Sequence, residues 1–313
     1  MRTINLMINT TFLYSAALYL VTITPAFSQW ESDRWLEKPV NDEIFSTYLE
    51  FFEYEEALAF NLDVRETSVE DGIYRERITF QSTSGVDVTA DYYRPEGANI
   101  SNGRPHIIVV HGGTPKGKDG VKRVVKGLVR SGMNVLAVDM LHFGERKTGL
   151  LKTFKNAEKA NKLYNRKSVY LDWVIQTTKD VRRSFDLLKN HYKAESNKIA
   201  YLGISRGAEV GFIITGVEKR FGAVALLISG HLDAQETGHL AAACPANYVG
   251  RIAPTPTFLL NGEFDSDYDA TRSVNPLHKL FAGKTDINWV QSGHTITEEG
   301  LTMMNAWFSK TLR

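Results

Sequence analysis

Gly203-Ile204-Ser205-Arg206-Gly207 sets a serine between two glycines where an apolar run, Lys198 to Leu202, gives way to a helix-like segment. A serine on such a turn is held in a strained backbone conformation with its hydroxyl thrust outward, and only glycine-sized neighbours let strand and helix approach closely. Ser205 is therefore the candidate nucleophile. The pentapeptide alone is a weak signal, because a serine hydroxyl needs a base to take its proton and an acid to fix the tautomer of that base. Of the eight histidines, His294 alone lies in a glycine-preceded loop, Ser292-Gly293-His294, between the last expected strand and the last expected helix, and it is the candidate base. For the acid, Asp265 in Asn261-Gly262-Glu263-Phe264-Asp265 is favoured. Glu263, Asp267 and Asp269 crowd the same turn, and Asp233 lies one strand earlier.

Acyl transfer also needs donors aimed at the oxyanion of a tetrahedral intermediate. The backbone N–H groups of Arg206, next to the nucleophile, and of Gly113, in the loop His111-Gly112-Gly113, are the positions that could supply them. His111 itself reads as a structural hydrogen-bonder. His231, Asp233, His239 and Cys244 have no spacing that matches a metal-ligand pattern, so neither a metal nor a cofactor is expected.

These groups need a scaffold. Residues 78–80 and 86–92 flank the turn Ser82-Thr83-Ser84-Gly85 and read as an antiparallel hairpin. Beyond it, short continuous apolar runs alternate with amphipathic segments, the pattern of strands buried on both faces of a parallel sheet. Expected strands are 107–110, 134–138, 198–202, 223–228, 255–260 and 287–290. Expected helices carry the stripes Val121-Val124-Val125-Leu128-Val129 and Tyr170-Val174-Thr177-Val181-Phe185-Leu188, and others follow Ser205 and run from about Thr297 to Lys310. Before the hairpin, Asn41 or Asp42 can cap a helix with Ile44, Phe45, Tyr48, Leu49 and Phe52 on one face, so residues 29–73 read as a helical leader that packs on the core.

The chain of 313 residues is 43% apolar and 11% aromatic, which excludes disordered and fibrous classes. Arg2, the apolar stretch Thr11 to Val21 and Ala26-Phe27-Ser28 read as a signal peptide over residues 1–28, cleaved before Gln29. The remainder then carries 36 basic and 36 acidic side chains, so global charge implies no nucleic-acid or other polyanionic partner. Cys244 is the only cysteine and forms no intramolecular disulfide. No second apolar span is long enough to anchor the mature chain in a membrane.

From about Ile78 onward the sequence resembles the α/β-hydrolase superfamily. The resemblance rests on His111-Gly112-Gly113, Asp139 to Arg146, Gly203 to Gly207, Gly262 to Asp265 and Gly293-His294. Asp139-Met-Leu-His-Phe-Gly-Glu-Arg146 looks like a segment of dienelactone-hydrolase-like and acetyl-esterase-like members. The resemblance implies a mostly parallel central sheet with an N-terminal antiparallel hairpin and helices on both faces. It also implies the chain order nucleophile, acid, histidine, which Ser205, Asp265 and His294 satisfy. Dienelactone hydrolases use a cysteine nucleophile, so Ser205 points instead to hydrolysis of carboxylic esters. Alternatives are a serine peptidase like the prolyl oligopeptidases, although fewer than 80 mature residues precede the first core strand, and a non-catalytic binding protein of the same fold.

Within residues 74–313, two insertions, near 140–169 and 230–252, are expected to cap the site. Arg146 to Lys167 holds eight basic side chains and one acidic, Glu158. It reads either as a solvated lysine-rich helix or as a cationic rim for acidic esters.

Overall fold

The computed structural model describes residues 34–99, 103–231, 239–282, 285 and 287–313. The expected signal segment and Asp233 lie outside them. Nine strands form one sheet in the order β1-β2-β3-β5-β4-β6-β7-β8-β9. They span Asp63–Glu70 (β1), Ile73–Thr83 (β2), Val86–Pro95 (β3), His106–Val110 (β4), Asn134–Val138 (β5), Ile199–Ile204 (β6), Ala223–Leu227 (β7), Thr257–Gly262 (β8) and Ile287–Val290 (β9). Pairing is antiparallel from β1 through β3 to β5 and parallel from β5 to β9.

The parallel strands are apolar throughout because the sheet is covered on both sides. In β4, Ile108 and Val110 enter one core while Ile107 and Val109 enter the other, as the two-residue period of a strand requires. The first core also takes Tyr170, Trp173, Val181 and Phe185 from the helix Lys167–Asn190 and Val210 and Ile213 from the helix Arg206–Val217. The second takes Val124, Val125, Leu128 and Val129 from the helix Lys122–Arg130 and Leu301, Met304 and Phe308 from the helix Glu298–Thr311.

The N-terminal region departs from the expected helical leader. A helix does form at Asp42–Glu50, and Asn41 is its cap, accepting the Ile44 N–H at 3.0 Å. Only part of its apolar stripe is covered: Phe45 meets Tyr248 edge-on with ring centroids 5.4 Å apart, whereas Ile44 and Leu49 are exposed. Phe52, just beyond the helix, is fully buried in the first core. Residues 63–70 form the edge strand β1, so the hairpin is the inner part of a three-stranded antiparallel unit. Asp-Val-Arg-Glu-Thr-Ser-Val-Glu shows no apolar face, because β1 is held by its backbone pairing to β2 and nearly all of its side chains are exposed, as charged edge strands are.

Candidate active site

Ser205 stands between β6 and the helix Arg206–Val217 with φ 51° and ψ −117°, a conformation that costs a non-glycine residue on the order of 1–3 kcal/mol. The flanking structure enforces it. The Ser205 N–H donates to Leu227 O at 2.9 Å, and Ser205 O accepts the N–H groups of Ala208 and Glu209. A Cβ on Gly203 would lie 2.5 Å from Gly207 O, and one on Gly207 would lie 2.4 Å from Val110 O. Glycine at both positions is what lets the helix start pack against the ends of β4 and β6.

Ser205 Oγ lies 2.8 Å from His294 Nε2, and His294 Nδ1 lies 2.9 Å from Asp265 Oδ2. Asp265 is buried, and its Oδ1 accepts the N–H groups of Asp267 at 2.9 Å and Tyr268 at 3.1 Å. A carboxylate held in this way keeps the proton of His294 on Nδ1 and leaves Nε2 free to accept one from the serine. Burial alone would lower the pKa of His294. The hydrogen bond and charge of Asp265, together with the charge of Asp267, outweigh burial and nearby Arg206, so the net shift is upward from 6.5.

The rival acids are placed elsewhere. Asp267 is 66% exposed, with Oδ2 3.9 Å from Nε2, the ring nitrogen that faces Ser205. Asp269 caps the turn that follows it through the N–H groups of Thr271 and Arg272, and Glu263 is exposed.

Gly112 and Gly113 sit against the serine. A Cβ on Gly112 would be 3.2 Å from Ser205 Cβ, and one on Gly113 would be 3.9 Å from Arg206 Cβ. Of the two expected donor positions, Arg206 follows Ser205 in the chain, and Gly113 lies beside Arg206 in the loop whose Gly112 touches Ser205. His111 is fully buried, with Nδ1 2.6 Å from Gly112 O and Nε2 accepting the Met140 N–H at 3.1 Å. It therefore ties this loop to the residues after β5, and burial lowers its pKa. Asp139, also buried, accepts from Lys118 N at 2.7 Å, Thr89 Oγ1 at 2.9 Å and Glu145 N at 3.1 Å. The Asp139 to Arg146 stretch is thereby pinned beside β5 and frames the site without entering it.

A cleft of about 610 Å³ opens over Ser205, His294, Gly112 and Gly113, with Asn156, Lys159, Tyr164 and Tyr268 among its walls. Lys159, Tyr164 and Asn156 come from the first insertion; none of the described residues of the second lines it. Several of these residues escape motif reading. Beneath the serine, the Arg206 guanidinium bonds buried Glu209, which also accepts from Tyr268 Oη at 2.5 Å and Tyr170 Oη at 3.2 Å. The available signal was Glu209 itself, a carboxylate among mostly apolar residues of the helix Arg206–Val217, since a buried charge requires partners. Among the described residues, no group of three His, Cys, Asp or Glu is placed to hold a metal ion.

The fold is that of the α/β-hydrolases. Solved structures similar to this chain include the acetyl xylan esterase from Paenibacillus sp. R4, at TM-score 0.68 and 14% identity over 89% of this chain and 99% of that one. Acetyl Xylan Esterase 1 from Thermoanaerobacterium sp. JW/SL YS485 matches at TM-score 0.63 and 13% identity, over 90% of this chain and 98% of that one. A cold-adapted esterase from an Arctic intertidal metagenomic library matches at TM-score 0.60 and 15% identity, over 82% of this chain and all of that one. No family model and no curated protein sequence matches the chain.

Proposed function

We propose that this chain is an exported serine esterase that cleaves small acyl esters through Ser205, His294 and Asp265. The observation that carries this reading is the hydrogen-bonded series from Ser205 Oγ through His294 to a buried Asp265, opening on a cleft. Ser205 Oγ attacks the ester carbonyl carbon as His294 Nε2 takes its proton, and Asp265 stabilises the resulting imidazolium. The Gly113 and Arg206 N–H groups receive the oxyanion. The intermediate collapses as the imidazolium protonates the departing alcohol, leaving an acyl-serine. Water, deprotonated by the now neutral His294, attacks that ester, and collapse of the second intermediate frees the acid and restores the serine.

The cleft volume falls in the range of small-molecule sites, which supports a small soluble ester. The acetyl xylan esterases among the structural neighbours make acetylated carbohydrates the first substrates to try. A panel of acetyl, butyryl and feruloyl esters and peptide amides, run on wild type and Ser205→Ala, tests the reading. Ester cleavage by wild type, lost about 10⁴-fold or more in the variant, is expected. Equal hydrolysis by both proteins would remove Ser205 as nucleophile, and preference for the amides would favour the peptidase reading. Export rests on residues 1–28, and the exported protein is expected to begin at Gln29; recovery of exported protein still beginning at Met1 would contradict cleavage there.

A further inference from the structure

We propose that Lys159 and Tyr164 form a subsite for a carboxylate carried by the substrate near its ester bond. The inference rests on the serine-esterase reading of the same cleft. Most basic side chains of the stretch Arg146 to Lys167 are exposed and outside the lining of the cleft. Arg146 is buried and paired with Asp180 at 2.6 Å, and Lys162 pairs with Glu158 at 2.8 Å. Lys159 is the basic residue of this stretch that lines the cleft. It is half-buried, donates to Gly113 O at 2.9 Å, and has no carboxylate within 4.0 Å among the described residues. An ammonium has three N–H donors, so two remain for a ligand.

Tyr164 adds a neutral donor. Its hydroxyl is buried beside the Arg206 guanidinium, which can donate to it but not accept, so the O–H proton has no acceptor among the described residues. The ring cannot easily turn away: the Arg206 guanidinium lies 4.0 Å from its centroid, and Tyr170 and Trp173 pack edge-on against it. Both groups converge beside Gly113. Tyr164 Oη lies 2.9 Å, and Lys159 Nζ 3.8 Å, from the point a Cβ on Gly113 would occupy. A carboxylate lying in the cleft in front of the Gly113 loop has two oxygens to present to two donors. Exposed Asp267, on the cleft wall contributed by the acid loop, disfavours a carboxylate on its own side. Burial and the charge of Arg206 lower the pKa of Lys159 against an opposing effect of Asp267, and a bound anion would restore the charge–charge stabilisation that burial withholds.

Two substrate pairs test the subsite: acetylated glucuronic acid against acetylated glucose, and phenyl hemisuccinate against phenyl butyrate. They place the carboxylate on the alcohol and the acyl half respectively. In at least one pair, the ratio of kcat/KM for the anionic over the neutral ester is expected to fall about ten- to hundredfold in Lys159→Met and several-fold in Tyr164→Phe. The same ratio in wild type is expected to fall as salt is raised from 0.01 to about 0.5 M. Ratios unchanged in both pairs, with neutral-ester activity lowered in the variants, would overturn the subsite and leave these residues as supports of the Gly113 loop. A salt-independent wild-type ratio would overturn it without any variant. Failure of wild type to cleave any ester would count against the esterase reading itself.

Discussion

His294 is held between two oxygens, Asp265 Oδ2 at 2.9 Å and Ser205 Oγ at 2.8 Å, and each sets the role of a different ring nitrogen. Only the neutral imidazole can accept the serine proton, so kcat/KM falls as pH drops through the pKa of His294. That pKa is raised by Asp265 and Asp267 against burial, so the acid limb is expected at higher pH than an unperturbed histidine would give. Asp265→Asn removes the main interaction that raises it and leaves burial and Arg206, which lower it, opposed by the charge of Asp267. The limb is then expected to move to lower pH while kcat falls about 10²- to 10⁴-fold. Asp267→Asn, at an exposed carboxylate 3.9 Å from the other nitrogen, should change kcat within about threefold. The reverse ranking in a pH–rate series would move the acid by two positions. Ser205, His294 and Asp265 were legible because each follows a strand in a short glycine-bearing loop. Tyr164, Lys159 and Tyr268 were not, because an insertion or an adjoining turn brings them to the cleft and no local spacing marks that.

At the scale of elements, the site depends on how closely the helix Arg206–Val217 approaches the end of β4. Gly207 is the contact point, where an added Cβ would meet Val110 O at 2.4 Å and His111 O at 2.6 Å. Gly207→Ala must push this helix away from the loop that carries Gly112 and Gly113. A cost of about 1–3 kcal/mol in stability is expected, with a loss of about 10² or more in kcat because the donors shift relative to Ser205. Thermal melts alongside kinetics check this, and a variant with wild-type kcat would show that the spacing is not critical. The buried strands were legible from sequence because a continuous apolar run has few alternatives once glycine-rich loops bound it. The strand β1 was not, since its register comes from β2 and its own residues are polar on both faces.

At the scale of the whole molecule, one sheet divides two apolar cores and presents the ends of β4, β6, β8 and β9 along a single edge, where the loops bearing Gly113, Ser205, Asp265 and His294 meet. Open parallel sheets place ligand sites at such carboxyl ends. This architecture was readable from the alternation of strands and helices. The route of the N-terminal region was not, because Leu36 and Phe52 reach the core from a segment whose helix leaves Ile44 and Leu49 exposed. Local charge at the cleft likewise follows from packing: of the basic stretch, Arg146 is buried, Lys159 lines the cleft, and the others are exposed, Lys162 among them paired with Glu158.

The nucleophilic role of Ser205 is tested most directly by treating folded protein with an active-site-directed fluorophosphonate and mapping the adduct by peptide mass. A single adduct on Ser205, absent from Ser205→Ala and slowed by a competing acetyl ester, is the predicted result. No adduct on Ser205, or equal labelling of the variant, would contradict it.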